Sequence, residues 1–186
     1  ICVVIVATFK SFDIKIIIGH TEYLAEKDGS ESLMILMSKD LKVATITTHI
    51  PISKVSKSLT RKKISEKITI LHKSLRRDFN IKNPKIAVSS LNPHSGEEGS
   101  IGTEEVKTIL PCINNLKKMG MKIDGPLPAD TLFYKKSLNK FDARICMFHD
   151  QALIPLKTLD FYGGINYTAG LSFVRTSPDH GTALSL

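Results

Sequence analysis

The sequence predicts a single α/β unit in which a largely parallel sheet is flanked by helices. Short apolar runs alternate with longer segments of helical periodicity through most of the chain, which is the pattern of βα units. Hydrophobic residues make up 42% and charged residues 24% of the sequence, which is typical of a globular domain. No internal repeat, low-complexity tract or linker divides the chain, so residues 1–186 are expected to form one unit.

Six short apolar runs are the predicted strands. Each is bounded by polar or turn-forming residues, as expected of strands in a buried sheet. They cover residues 2–6, 33–37, 43–47, 85–89, 143–148 and 164–167.

Helical periodicity is clearest in the segment that follows the third of these runs. Its apolar residues are spaced four, three, four and four apart, so they share one helical face. They are Ile64, Ile68, Leu71, Leu75 and Phe79. A second helix is predicted over 104–119, ending at Gly120 with a left-handed cap. Asp130 is expected to cap a short helix after Pro128, and a last helix is expected to begin near His180.

The formal net charge of +8 raises the question of nucleic-acid binding, which the distribution of the charge must decide. The densest basic stretch, 54–77, alternates with apolar residues at helical spacing, which is typical of a solvated helix face. No aromatic stacking platform accompanies it. No apolar run reaches the roughly 18 residues of a membrane span. We therefore predict neither a nucleic-acid partner nor a membrane segment.

The three cysteines, Cys2, Cys112 and Cys146, are far apart and lie in apolar surroundings. This pattern predicts reduced core thiols and a cytoplasmic protein. The apolar run 1–7 lacks the basic flank and the cleavage site of a signal peptide. The chain begins without Met and stops where a helix is expected to begin, which we interpret as a sequence cut at both ends.

Three of the six histidines, His49, His94 and His149, come directly or shortly after predicted strands. Parallel strands bring their carboxyl ends to one edge of a sheet, so residues distant in sequence can converge there. Three imidazoles with an open fourth position make a catalytic metal site. Ordinary polar loop residues are the alternative. The spacing is not that of a compact metal motif, so the residues alone leave both interpretations open.

The segment 91–105 is a polar, glycine-rich loop, longer than a connection between a strand and a helix requires. Its glycines fall in a G-x-x-G-x-x-G pattern, which is neither the dinucleotide fingerprint nor a P-loop. We expect the loop to be functional. Glycines that merely permit tight turns are the alternative.

Lys157, Asn166 and Arg175 lie nine residues apart, on and between short apolar stretches. Lys and Arg together suit an anionic substrate, and Arg can bind phosphate or carboxylate with two parallel hydrogen bonds. Near the start of the chain, Thr21 is expected to cap a helix whose amino terminus would attract a phosphate. Taken singly, each residue is also compatible with a surface or capping role.

Six motifs resemble those of the 4-hydroxythreonine-4-phosphate dehydrogenase family, in the same order. They are Gly19-His-Thr-Glu-Tyr-Leu-Ala25, Thr47-Thr-His-Ile-Pro51, Leu91-Asn-Pro-His-Ser-Gly-Glu97, Gly125-Pro-Leu-Pro-Ala-Asp-Thr131, His149-Asp-Gln151 and Arg175-Thr-Ser-Pro-Asp-His-Gly-Thr-Ala183. The resemblance extends from Lys10 to the end of the chain.

The resemblance implies an isocitrate/isopropylmalate dehydrogenase-like α/β fold whose N-terminal part is missing here. It implies NAD-dependent or NADP-dependent oxidation of 4-phosphohydroxy-L-threonine to a β-keto acid. That acid loses carbon dioxide to give 3-amino-2-oxopropyl phosphate in pyridoxal 5′-phosphate synthesis. A homodimer with a shared active site is also implied. The alternatives are a related dehydrogenase, of phosphorylated four-carbon sugar acids or cis-dihydrodiols, and an inactive metal-binding fragment.

Residue roles follow from the same resemblance. His49, His94 and His149 match the family's metal ligands. Zinc is the usual expectation for such ligands, with cobalt, nickel, iron or magnesium as alternatives. The matches to substrate-binding residues are His20, Thr21, Lys157, Asn166 and Arg175. The candidate catalytic residues are Asp130, Asp150 and Lys157, with the identity of the general base left open.

Overall fold

The computed structural model of the protein describes residues 20–179, with side chains from residue 23 onward. The predicted strand 2–6, Cys2 and the helix predicted near His180 lie outside this range. The described residues form one mixed sheet with helices packed on both faces. None of the helices within 20–179 combines the length and apolar character needed to cross a membrane.

Seven strands form the sheet, and six α-helices accompany them in the described residues. The strands are β1 (Leu33–Met37), β2 (Lys42–Thr45), β3 (Lys85–Ser89), β4 (Lys122–Leu127), β5 (Ala143–Cys146), β6 (Ile165–Ala169) and β7 (Arg175–Pro178). The helices are α1 (His20–Asp28), α2 (Ile52–Ser58), α3 (Arg61–Arg77), α4 (Leu110–Lys118), α5 (Lys135–Leu138) and α6 (His149–Leu159). A π-helical turn, Glu105–Ile109, precedes α4, and 3-10 segments cover Pro93–Gly99 and Ala129–Thr131.

The strand order across the sheet is β4-β3-β5-β2-β1-β6-β7. The first four of these are parallel neighbours, whereas β1 is antiparallel to both β2 and β6, and β7 is antiparallel to β6. Five of the seven strands within 20–179 therefore point the same way, which confirms the predicted α/β class. The connection between β1 and β2 covers only 38–41, too short for a helical crossover, so these strands form a hairpin.

Two strands within the described range escaped the sequence prediction. β4 contains Asp124, Gly125 and Pro126, and β7 has the sequence Arg-Thr-Ser-Pro, so neither presents an apolar run. Both are edge strands, where proline and polar residues are tolerated because one side of the strand needs no partner.

Two capping predictions were wrong. Pro128 precedes the 3-10 turn that contains Asp130, and the Asp130 side chain forms no cap there. Thr21 lies inside α1, which begins at His20. In contrast, Gly120 has the expected left-handed φ of 89° and ends the helical segment after α4, as predicted.

The core lies on both faces of the sheet. On one face, α3 packs through Ile64, Ile68, Leu71 and Leu75, all with no exposed surface. This confirms four of the five residues of the predicted helical face, whereas Phe79 lies beyond the end of the helix. On the other face, Leu156 of α6 packs against strands β1 and β2. Cys112 and Cys146 are free and buried, as expected of core thiols, and burial raises the pKa of the Cys146 thiol.

Asp78, directly after α3, ties that helix to the sheet. Its carboxylate accepts hydrogen bonds from the Arg77 guanidinium, the Ser74 hydroxyl and the Tyr167 hydroxyl on β6, the last at 2.7 Å. Burial opposes ionisation of Asp78, but the hydrogen bonds from Arg77, Ser74 and Tyr167 outweigh it and lower the pKa of the carboxyl.

We expect this lowered pKa to make Asp78 a source of acid sensitivity. The carboxylate stabilises the fold fully above its unfolded-state pKa, and the contribution is lost as pH falls through the lower folded-state pKa. The wild-type chain should therefore lose more free energy of unfolding than Asp78→Asn between about pH 5 and about pH 2. Urea unfolding across that range measures the difference. The exposed Asp40→Asn is the matched control and should follow the wild type, whereas parallel curves for Asp78→Asn would contradict the assignment.

Candidate active site

Four parallel strands end at one edge of the sheet, and each leads into a segment that carries a predicted site residue. His49 follows β2, His94 follows β3 and Asp130 follows β4. β5 leads directly into α6, which begins with His149 and Asp150. These five residues therefore lie beyond the same edge of the sheet, the place where open α/β sheets bind ligands.

His49 and His149 come together within the chain. Their ring centroids lie 5.7 Å apart and the ring planes are inclined by 46°. The backbone holds them there because the pairing of β2 with β5 continues past both strands. The Thr47 hydroxyl donates a buried hydrogen bond of 2.7 Å to the Met147 carbonyl, and the Ile46 amide donates to the Cys146 carbonyl at 2.8 Å.

A cavity of about 350 Å³ opens beside the two rings. Its walls combine both imidazoles and the Asp150 carboxylate with apolar side chains such as Val55 and Phe148. A pocket of this size, with few polar groups on an apolar wall, has the character of a small-molecule site.

Asp150 positions the His149 ring. The His149 Nδ1 atom lies 2.7 Å from the Asp150 Oδ1 atom. This contact favours the tautomer that carries its proton on Nδ1, which leaves Nε2 as the atom able to bind a metal ion or accept a proton.

Gln151 is a site residue that the sequence prediction passed over. Its side-chain oxygen accepts a hydrogen bond from the Met147 amide at 2.9 Å, and its side-chain nitrogen donates to the Ser90 carbonyl at 2.8 Å. It thereby joins the start of α6 to the chain leaving β3, the segment that leads to His94. The sequence feature that could have identified Gln151 is its position directly after His149 and Asp150.

His94 lies in a left-handed turn. Five consecutive residues, 94–98, have φ values between 40° and 75°, and His94 itself has φ 50° and ψ 31°. Only Gly96 adopts such values without cost, since other residues lose about 1–2 kcal/mol each. Backbone conformations of this kind persist where the surrounding structure enforces them, and they cluster at active sites.

Glu105 enforces the base of this loop. Its side chain is almost fully buried, and one oxygen accepts hydrogen bonds from the Leu91 and Asn92 amides at 2.8 and 2.7 Å. The other oxygen accepts from the Asn92 side chain at 2.9 Å. Glu104 also accepts from Asn92, at 2.9 Å, and from Ser56 of α2, at 2.6 Å. Sequence reasoning missed both glutamates, although they end the loop that it had marked as functional.

Gly96 and Gly102 have structural reasons to be glycine. A Cβ on Gly96 would lie 2.7 Å from a Glu105 carboxylate oxygen and 2.9 Å from the Gly102 carbonyl oxygen. A Cβ on Gly102 would lie 2.3 Å from the Asn92 side-chain nitrogen. At these two positions the lack of a side chain allows close packing within the loop.

We expect Gly96→Ala to reduce the free energy of unfolding more than Gly29→Ala. Gly29 has a similar φ of 65° but nothing within 4 Å of an added Cβ, so it reports the left-handed cost alone, about 1–2 kcal/mol. Gly96→Ala adds crowding against Glu105 and the Gly102 backbone. Urea unfolding of both variants makes the comparison, and equal losses would show that the loop yields without penalty.

His94 does not join the His49–His149 pair within one chain. In residues 20–179, no group of three or more His, Cys, Asp or Glu side chains is arranged to hold a metal ion. Within the described residues, the histidine pair with Asp150 therefore does not provide a complete set of metal ligands.

Lys157, Asn166 and Arg175 share one face of the sheet. Asn166 pairs with Leu36, which packs against α6 on that face. Arg175 donates to the Thr168 hydroxyl at 3.3 Å, and Thr168 lies on the same side of β6 as Asn166 because side chains alternate along a strand. Lys157, on α6, forms an ion pair of 2.8 Å with Asp179.

Lys157 lies away from the histidine pair within the chain. Lys157 is eight residues beyond His149 in α6, a rise of about 12 Å. The Asn166 side-chain oxygen is buried and has no hydrogen-bond partner in the described part of the chain. His20 and Thr21 begin α1, and their side chains lie outside the described residues.

A family model described as pyridoxal phosphate biosynthetic protein PdxA matches residues 8–186. The chain belongs to the PdxA family. Two curated relatives named 4-hydroxythreonine-4-phosphate dehydrogenase come from Neisseria meningitidis serogroup A and Paracoccus denitrificans. They are 52% identical over 169 residues and 46% identical over 173 residues, in both cases 90% of this chain. The matches cover 51% and 54% of the relatives, so the chain spans about half their length.

Solved structures of PdxA relatives have the same fold. The 4-hydroxythreonine-4-phosphate dehydrogenase of Klebsiella pneumoniae matches with a TM-score of 0.82 and 42% identity, over 89% of this chain and 50% of that one. A terephthalate 1,2-cis-dihydrodiol dehydrogenase from Burkholderia xenovorans matches with a TM-score of 0.77 at 23% identity, over 84% of this chain and 50% of that one. The second likeness concerns the fold alone.

Proposed function

We propose that the chain forms part of an NAD-dependent 4-hydroxythreonine-4-phosphate dehydrogenase of pyridoxal 5′-phosphate synthesis, with NADP as the alternative cofactor. The observation that carries this proposal is the PdxA family match over residues 8–186. The reaction oxidises the C3 hydroxyl of 4-phosphohydroxy-L-threonine, and the resulting β-keto acid loses carbon dioxide to give 3-amino-2-oxopropyl phosphate.

His49, His94 and His149 are the proposed ligands of a divalent metal ion. The donor set fits because two imidazoles already face one cavity at 5.7 Å, and Asp150 leaves the His149 Nε2 atom available. Imidazole ligands favour zinc, cobalt, nickel or iron over magnesium. When bound, such an ion would act as a Lewis acid toward the substrate hydroxyl oxygen.

A homodimer is proposed to complete this site, with His94 of one subunit joining the histidine pair of the other. Exposed apolar side chains on and near α6 and the β6–β7 hairpin support dimerisation. They are Ile154, Phe161, Tyr162, Phe173 and Val174. Asp150 is proposed to hold the His149 ring during turnover, and the exposed Asp130 to take part in proton transfer.

Lys157, Asn166 and Arg175 are proposed to bind the substrate phosphate, together with His20 and Thr21. Lysine and arginine supply the charge, and the Asn166 side-chain nitrogen is the hydrogen-bond donor proposed to face the phosphate. The Lys157 ammonium pairs with Asp179 in the absence of substrate. A bound phosphate would compete with Asp179 for it, so Lys157 has an anionic partner with or without substrate. Lys157 is also the candidate for proton transfer among these three.

Metal binding tests the histidine assignment. We expect His49→Ala, His94→Ala and His149→Ala each to lower the affinity for Co²⁺, read from its absorption spectrum, by at least about tenfold. His72→Ala, a change on α3, is the matched control and should bind as the wild type does. Retained affinity in any of the three variants would remove that residue from the ligand set.

Mixing variants tests the shared site in the same assay. If His94 and His149 come from different subunits, refolding His94→Ala with His149→Ala should restore about a quarter of the binding, because half the dimers are mixed and each holds one intact site. A site within one chain would give no recovery.

Substrate kinetics test the phosphate assignment. We expect Lys157→Met and Arg175→Met to raise KM for 4-phosphohydroxy-L-threonine at least about tenfold, with little change in KM for unphosphorylated 4-hydroxy-L-threonine. If Lys157 also transfers a proton, Lys157→Met lowers kcat with both substrates, whereas Arg175→Met does not. Reduction of NAD⁺ is the readout, and the exposed Lys82→Met is the control. An equal rise in KM for both substrates would contradict phosphate binding by these residues.

The same assay separates the alternatives. Faster oxidation of a phosphorylated four-carbon sugar acid than of 4-phosphohydroxy-L-threonine would favour the alternative of a related dehydrogenase that acts on such sugar acids. Metal binding without turnover would indicate an inactive fragment if a fusion to the part of the Neisseria meningitidis relative that this chain does not cover is active. A fusion that is still inactive with full metal occupancy would contradict the proposed activity.

A further inference from the structure

A second cavity, of about 370 Å³, lies at the opposite edge of the sheet from the histidines. It opens at the amino ends of β3 and β4 and beside the turn that precedes β5. Four lysines, Lys85, Lys117, Lys122 and Lys140, line it with a single carboxylate, Asp124. None of these residues belongs to the site proposed above.

The positive charge of this cavity is not neutralised by its own wall. Asp124 lies 3.9 Å from the Lys140 ammonium, and both side chains are more than half exposed, so solvent weakens the pair. The neighbouring Asp142 carboxylate instead accepts a hydrogen bond from the Lys85 backbone amide, at 2.7 Å. The cavity therefore has an excess of positive charge.

The lysines converge from separate elements. Lys85 and Lys122 are register partners on β3 and β4, and like charges in that relation destabilise a sheet. Lys117 comes from the last turn of α4, and Lys140 from the turn before β5. This arrangement differs from the basic face of α3, where successive turns of one helix present lysines to solvent.

The floor of the cavity is apolar. Ile86, Ile123 and Phe141 form its base and are buried, with the Lys140 ammonium 5.0 Å from the Phe141 ring centroid. The partly buried Met121 is the lining apolar side chain that a ligand can reach. Its volume falls in the range of small-molecule sites, about 300–1,000 Å³. Ammonium groups act on anions as point charges, and four of them with one carboxylate favour a multiply charged anion such as phosphate over a single carboxylate. A ligand that matches both features carries phosphate and a compact apolar body.

We propose that this lysine cavity binds a small phosphate-bearing molecule with an aromatic ring, at a site separate from the histidine edge. Adenosine 5′-monophosphate is a suitable probe, with adenosine and inorganic phosphate as partial probes. Each partial probe keeps one of the two features that the cavity offers. A free phosphate ion is the other candidate ligand. Comparing the affinities for adenosine 5′-monophosphate and inorganic phosphate distinguishes the two ligands.

Titration of the isotope-labelled chain, followed by amide NMR shifts, tests the proposal. We expect saturable shifts around Lys85, Lys122 and Lys140 with adenosine 5′-monophosphate, and at least tenfold weaker binding of adenosine. Equal affinity for inorganic phosphate would overturn the apolar part of the proposal. Shifts confined to the surroundings of Lys157 and Arg175, or none at millimolar probe, would overturn all of it.

Paired charge-removal variants provide the control. Lys85→Met with Lys122→Met should weaken probe binding at least tenfold, whereas Lys62→Met with Lys73→Met, on the exposed side of α3, should not. Without ligand, the cavity variant should unfold at a urea concentration no lower than the wild type, because cross-strand repulsion is removed. A lower midpoint would indicate that these lysines serve the fold.

Discussion

The parallel pairing of β5 with β2 on one side and β3 on the other is the constraint on which the candidate site depends. Every residue of β5 is buried, so the strand has little freedom to move. Because the three strands end at one edge, the chain leaves each of them in the same direction. The Thr47–Met147 hydrogen bond then extends the pairing past β2 and β5, and Gln151 joins the end of β5 to the chain after β3. The separation of His49 and His149 is a consequence of these backbone contacts.

A buried cation in β5 holds the segment that carries Asp130. Arg144 is almost fully buried, and its guanidinium donates to the carbonyls of Leu132, Ser137 and Phe141. Burial lowers the pKa of Arg144. Carbonyl oxygens satisfy the guanidinium donors without cancelling its charge, so replacing this residue by one without donors would leave three carbonyls to find other partners. The irregular chain between β4 and β5 is thus ordered from the sheet side.

Local pattern was sufficient to predict the elements whose burial is periodic. The α3 face and the strands at 33–37 and 85–89 have apolar residues at regular spacing. Their pattern also locates the strand ends, and with them the edge of the sheet at which the histidines lie. β4 and β7 were missed because edge strands need no apolar run. The hairpin between β1 and β2 follows from the short connection at 38–41, a signal that was present but outweighed by the general alternation of strands and helices.

The remaining errors and omissions concern contacts between distant residues. Nothing in local sequence indicates that Glu105 accepts hydrogen bonds from the Leu91 and Asn92 amides, because that contact exists only once the loop 91–105 has closed. The left-handed backbone at His94 is equally invisible to periodicity, since its non-glycine residues favour other conformations in isolation. Likewise, whether Asp130 caps a helix depends on where the chain turns after Pro128, and there the structure differs from the sequence preference.

Different side chains lie at the two ends of the parallel strands. Imidazoles lie beyond the carboxyl ends and ammonium groups at the amino ends, and β3 connects the two regions. Coupling between such sites requires an element with two alternative arrangements. β3 is paired on both sides, and Ile86, Ala87 and Val88 within it have no exposed surface, which favours a single arrangement. A ligand in the lysine cavity should therefore stabilise the fold by mass action and leave the separation of His49 and His149 unchanged.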